Sequence, residues 1–123
     1  MRILPDSHAL LWWAQDSKRL SQQARDLLED DDNTFLFSAV TTWEIYFKHA
    51  LGKLKHLGDF DLIEETSPTI LPITHAHVIA AAALPLHHRD PFDRLLIAQA
   101  QIEDAVIVTT DREFAAYDVR TAW

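Results

Sequence analysis

Short apolar runs alternate with stretches in which apolar residues recur every three or four positions, and that alternation predicts strands separated by helices. Met1 to Pro5 has the length and apolarity of a buried strand, and Ser7 to Ala14 follows as a helix carrying Leu10, Leu11, Trp12 and Trp13. Ser21 is placed to cap a helix through Ala24, Leu27 and Leu28; the acidic run Glu29 to Asp32 reads as a solvated turn, and Thr34 to Ser38 as the next strand. A longer helix over about Val40 to Leu51 sets Trp43, Tyr46, Phe47, Ala50 and Leu51 on an apolar face and ends at Gly52. Asp59 to Glu65 predicts a short helix and Thr69 to Ile73 a short strand. Thr74 then caps a helix over His75 to Ala83, which Pro85 stops. After the polar loop His87-His88-Arg89, Asp90-Pro91 opens a helix through Ile102, with Asp as cap and Pro at the first helical position. Ala105 to Thr109 is a β-branched strand, Asp111 to Ala116 a short helix and Val119 to Ala122 a last edge strand.

Parallel neighbours need a crossover connection, and that connection is usually a helix. The expected fold is therefore α/β, a short central parallel sheet flanked by helices in three layers, with residues 1–123 forming one domain. Only Gly52 and Gly58 are glycines, and no linker-like or repetitive segment interrupts the chain. Folds of this kind bind ligands beyond the carboxyl ends of their strands. Asp6 and Asp111 each follow a strand, while Glu44 and Asp93 lie near helix N-termini that face the same crevice. One architecture thus gathers four acids.

Composition narrows the chemistry. Hydrophobic residues at 48% and charged residues at 24% exclude a disordered chain. The absence of cysteine excludes disulfides, thiolate nucleophiles and Cys-based metal sites. With no signal segment and no apolar run long enough to span a bilayer, the expectation is a soluble cytoplasmic protein with no membrane partner. Eleven Lys and Arg against 19 Asp and Glu give a net charge of -8, which repels a polyanion such as RNA. Clustered carboxylates that bind divalent cations would reverse that local field.

Carboxylates held together repel one another, and hard cations with oxygen ligands relieve the repulsion; magnesium or manganese is the economical choice. Each acid also has a structural reading. Glu44 could close a capping box in Thr41-Thr42-Trp43-Glu44. Asp90 reads first as a helix cap, Asp93 could answer a helix dipole, and Asp111 could cap its own helix with Thr109 and Thr110. Asp6 is hardest to explain this way, because an acid directly after a buried strand is costly to leave unpaired. Lys48, His49, Lys53, Lys55 and His56 form one basic strip, and His87, His88, Arg89 and Arg94 another; either could steer phosphates or simply be solvated. His75 and His77 lie two apart, point to different sides of a helix and do not form a zinc pair. Trp12, Trp13, Trp43 and Phe92 read as core or dimer interface rather than as base-stacking platforms.

Four motifs, in order, resemble PIN domains, especially toxins of the VapC type. They are Met1-Arg2-Ile3-Leu4-Pro5-Asp6-Ser7-His8-Ala9-Leu10-Leu11-Trp12-Trp13; Ser38-Ala39 through Trp43-Glu44-Ile45, Lys48 and Leu51-Gly52-Lys53-Leu54; His87 through Ala100; and Val108-Thr109-Thr110-Asp111 with Phe114 and Tyr117. The resemblance covers nearly the whole chain and implies a PIN-like fold with a catalytic, metal-holding quartet of Asp6, Glu44, Asp93 and Asp111. It implies Ser7, Thr109 and Asp90 as supporting residues; among the basic side chains read above, Arg94, Lys48 and Arg89 are the expected contacts for RNA or a partner protein. It further implies a magnesium- or manganese-dependent endoribonuclease, an antitoxin partner and a homodimer. Pro5 departs from the family pattern, removing a backbone N–H just before Asp6 and putting the placement of that acid in question. A degenerate PIN domain that binds RNA or a partner without cutting stays open, as does single-stranded DNA as substrate. A receiver-like phosphoacceptor domain would need an acidic pair after the first strand, a phosphorylated Asp after the third and a Lys after the fifth, whereas here the first strand ends in Asp6 alone and the late strand end offers Thr109-Thr110-Asp111.

Overall fold

The computed structural model describes residues 1–56, 63 and 68–123. The elements run β1 (Arg2–Pro5), α1 (Ser7–Ala14), α2 (Gln22–Glu29), β2 (Thr34–Ser38), α3 (Ala39–Ala50), β3 (Thr69–Leu71), α4 (His75–Ala83), α5 (Pro91–Glu103), β4 (Val106–Val108), a 3-10 turn (Arg112–Ala116) and β5 (Arg120–Ala122). Among the described residues the strands form one five-stranded sheet in the order β3-β2-β1-β4-β5. Every pairing is parallel. The α/β expectation, a parallel sheet flanked by helices, is met. The expected helix at Asp59 to Glu65 lies outside the described residues except at Ile63.

The first strand is central. From β1 the chain builds outward to β2 and β3 on one side, then crosses to β4 and β5 on the other, so the order reverses between β1 and β4. A crevice opens at such a reversal, outside the carboxyl ends of the strands. Both sheet faces are covered, which explains why the strands are continuous apolar runs rather than alternating ones. Ile3 packs with Ala9, Ala24, Leu28 and Val108 on one face. Leu4, pointing the other way, packs with Leu36, Leu96, Ile97, Ile107 and Phe114. Ile3 and Leu4 are both wholly buried, each contributing about 1.5–3 kcal/mol of apolar burial.

Helix starts follow their side-chain caps. Asp6, Ser21, Thr74, Asp90 and Asp111 each accept a hydrogen bond from a backbone N–H of the following turn. At α3 the expectation fails: the cap is Ser38, whose hydroxyl accepts from Val40 N, and Thr41 is buried inside the helix. A capping box of Thr41 with Glu44 is therefore ruled out. The buried stripe of α3 is Val40, Thr41, Glu44 and Ile45, while Trp43, Tyr46, Phe47 and Leu51 stay about half exposed. Trp43 is thus not core, and its ring instead meets half-buried Phe92 edge-on with centroids 4.6 Å apart. Glu44 takes the inward place because this helix faces the crevice as well as the apolar core.

Pro5 fits without disruption. Asp6 N donates to Val108 O at 3.1 Å, so by alternation the N–H missing at Pro5 faces β2. There the β1–β2 register ends at Ile3 opposite Phe35, as the missing N–H dictates. Among the described residues no helix is long and apolar enough to cross a membrane.

Candidate active site

Asp6 stands where β1 meets α1, at the order reversal. One carboxylate oxygen accepts from Ala9 N at 2.8 Å, and the other accepts from the Thr109 hydroxyl at 2.5 Å. Thr109 follows β4, the neighbouring strand, and its oxygen in turn accepts from Asp111 N at 3.0 Å. Three residues from two strand ends are thereby fixed to one another. Burial raises the proton affinity of Asp6, and the Thr109 and Ala9 hydrogen bonds oppose that rise without cancelling it.

Glu44 enters from α3, buried, with Lys48 one turn further along; Lys48 Nζ donates to Glu44 Oε2 at 2.6 Å. Burial would push the Lys48 ammonium down. The Glu44 hydrogen bond and the negative charges of Glu44, Asp90 and Asp93 outweigh it, so its proton affinity ends above the ordinary value. Lys48 therefore belongs to the carboxylate group itself rather than to a peripheral basic strip.

Asp90 and Asp93 open α5. One oxygen of Asp90 accepts from Phe92 N at 2.9 Å and from Asp93 N at 3.4 Å, so the capping role is real. Glu44, Asp90 and Asp93 also offer carboxylate oxygens within 4.8 Å of one another. Capping leaves the second oxygen of the Asp90 carboxylate available as a ligand. Burial, then the charges of Asp90 and Glu44, lift the Asp93 carboxyl to about 7, with His88 opposing and Asp111 adding to the rise.

Asp111, the fourth acid, belongs to a second group with His88 and Glu113, whose ligand atoms also lie within 4.8 Å of one another. His88 joins the two groups: its Nε2 is 2.8 Å from Asp93 Oδ2 and 3.0 Å from Glu113 Oε2. These contacts are ionic in distance but poorly aligned as hydrogen bonds, leaving Nε2 a buried polar atom with unused capacity. Asp90 N donates to His88 Nδ1 at 3.3 Å, which assigns the neutral ring's proton to Nε2. Tyr117 holds the loop, its hydroxyl accepting from His88 N at 2.7 Å and donating to Pro85 O at 2.8 Å. The sequence reading placed His88 among phosphate-steering residues and gave Tyr117 no role. The signal available was only that both fall within the matching motifs.

Of the expected quartet, Glu44 and Asp93 share one group and Asp111 lies in the adjoining one. Asp6 lies outside both, near enough to Glu44 for the two charges to interact. Buried Ser7 and Glu44 line the same cleft. Arg94, expected as an RNA or partner contact, has its guanidinium donating to the carbonyls of Ala81, Leu84, Pro85 and His88 at 2.8–3.1 Å. It ties the His88 loop to α4. Arg89 remains exposed. The three-carboxylate donor set is all oxygen, as hard divalent cations prefer, and the proton affinity of Asp93 marks negative charge that needs a counter-ion. On that chemistry the residues fit such a cation.

Parallel strands with acids gathered at a switch point define an α/β protein with an acidic crevice. The chain belongs to the PIN domain family, whose model matches residues 3–120. Ribonuclease VapC22 of Mycobacterium tuberculosis is 28% identical, over 94% of this chain and 91% of that protein. Among solved structures, VapBC2 from Rickettsia felis bound to a DNA fragment from its promoter superposes with a TM-score of 0.74 at 16% identity, covering 99% of this chain and 98% of the other. A toxin-antitoxin complex from Klebsiella pneumoniae gives 0.68 at 16% identity, covering 100% and 97%. The resemblance read from the four motifs is borne out.

Proposed function

We propose that the chain is a metal-dependent endoribonuclease, the toxin of a toxin-antitoxin pair, that hydrolyses RNA phosphodiester bonds with Asp6, Glu44, Asp93 and Asp111 as its catalytic acids. The observation that carries this reading is the approach of the Glu44, Asp90 and Asp93 oxygens within 4.8 Å, at the crevice of a PIN domain. Glu44 and Asp93 would hold the cation with Asp111 and Asp6, and Asp90 would support it. A bound Mg2+ or Mn2+ supplies Lewis acidity, lowering the pKa of an attacking water and offsetting charge on the phosphate. Thr109 orients Asp6 and opposes the rise in proton affinity that burial imposes on it, Lys48 offsets the charge of Glu44, and His88 Nε2 faces Asp93 at the crevice.

The toxin reading is supported by likeness to a ribonuclease named VapC22 and to the toxin-antitoxin complexes. An antitoxin segment would find an apolar seat beside the crevice, where half-exposed Trp43 and Phe47 surround Phe92. A homodimer would bury Val78 and Ile79 of α4, both about half exposed. The cytoplasm is the compartment such an RNA-cutting toxin would occupy.

The test is cleavage of a panel of structured RNAs by protein freed of copurified partner, in Mg2+ or Mn2+ against EDTA, beside an identically purified Asp93→Asn variant. Metal-dependent cutting by the wild type alone is the expected result. Equal behaviour of the two proteins across the panel would sink the nuclease reading.

A further inference from the structure

A cleft leads away from the carboxylates between α1 and α3. Its volume is about 280 Å3, and Glu44 and Lys48 at one end are joined by His8, Trp12, Arg19 and Lys53 along its walls. In a chain of net charge -8 this is a cationic surface. Among the described residues neither Arg19 nor Lys53 has an ion-pair partner, although Lys48 at the same cleft does. The Arg19 guanidinium lies over the Trp12 ring, 5.9 Å from its centroid, and the His8 ring sits 5.5 Å away on the same residue. Trp12 is half-buried, and the Trp123 ring packs against it in a T-shaped arrangement with centroids 5.7 Å apart.

We propose that this cleft is a nucleotide subsite: it takes the single-stranded RNA flanking the scissile phosphate, with the Trp12–Arg19 pair as a base platform and Arg19 and Lys53 on backbone phosphates. The proposal deepens the nuclease reading and rests on it. Unpaired cations near a phosphodiester site favour phosphate, since releasing counter-ions drives polyanion binding. A cation–aromatic pair adds what a phosphate does not need and a base does: a π surface indifferent to base identity. An acidic peptide would use the cations but not the stack. The cleft also resolves the charge objection, because RNA need not meet the acidic protein as a whole.

The test measures binding without cutting. A fluorescein-labelled single-stranded RNA of about ten nucleotides is titrated in EDTA against wild type, Arg19→Ala/Lys53→Ala, Trp12→Phe and the remote control Arg120→Ala. The double variant is expected to bind roughly tenfold more weakly, with the slope of log K against log salt smaller by about 1.4, two contacts at about 0.7 each. Arg120→Ala should bind as wild type does. Bound RNA should quench tryptophan emission, and most of that quench should be missing in Trp12→Phe. Unchanged affinity and slope in the double variant, or no binding by wild type, overturns the subsite. Because no metal is present, this outcome is separate from the cleavage test: RNA binding that needs Arg19 and Lys53 in a protein that never cuts would retain the subsite and remove the nuclease.

Discussion

The Asp93 carboxyl, lifted to about 7 from 3.8, makes its neighbourhood sensitive to pH around neutrality. Between those two values the native protein binds more protons than the unfolded chain, so metal-free stability falls as pH rises through that window. Asp93→Asn should therefore raise the metal-free melting temperature at pH 7.5 by a few degrees and leave it unchanged near pH 4, as scanning calorimetry would read. Cation affinity should move the other way, strengthening as pH climbs past 7 because the ligand must be deprotonated. Asp6 depends on a neighbour: Thr109→Val removes one of its two hydrogen bonds and should slow RNA cleavage at least tenfold, with Thr109→Ser restoring most of the rate. A purely packing role for Thr109 would let Val substitute. At this scale the sequence was readable where chemistry is local. An acid after a buried strand had few structural explanations, and Asp6 stands at the switch point as expected. The roles of Arg94 and His88 were not readable, because the carbonyls around one and the carboxylates around the other come from distant segments.

Among the elements, a buried polar chain fixes α3 against α5. The Ser38 hydroxyl that caps α3 donates to Gln99 Oε1 at 2.5 Å, and Gln99 Nε2 reaches Pro72 O at 3.2 Å and His77 Nδ1 at 3.3 Å. Gln99 and Ser38 are almost wholly buried. Gln99→Leu would leave the Ser38 hydroxyl and the Pro72 carbonyl without this partner and should cost about 1–3 kcal/mol in urea unfolding. Since α3 carries Glu44 and α5 carries Asp93, cation affinity should weaken with it. A variant as stable as wild type would remove Gln99 from the set of positioning residues. Element starts were legible because Asp, Ser and Thr caps act within three residues. The face of α3 was not: periodicity locates an apolar stripe, but an inward-turned Glu44 is decided by the acids on α5.

At the scale of the whole molecule, a divalent cation should act as a stabilising ligand. With Mn2+ at about a hundred times its Kd, mass action adds about 2.7 kcal/mol to the folded state. The melting temperature should rise accordingly in wild type, with far less gain in Asp93→Asn. An equal rise in both would place the ion elsewhere on an acidic surface. The parallel sheet and its covered faces were legible from alternating runs of apolar residues. The strand order was not, because nothing local says that the first strand ends up in the middle.

That central position orders events in time as well as in space. β1 is made first, yet its partner β4 lies about a hundred residues later, and the Thr109 hydroxyl that secures Asp6 is 103 residues from it. Such distant pairing closes late and slowly. A ribosome can thus carry the segments from β1 through α5 with the crevice still unassembled, and the acidic centre comes together only once β4 has left the exit tunnel.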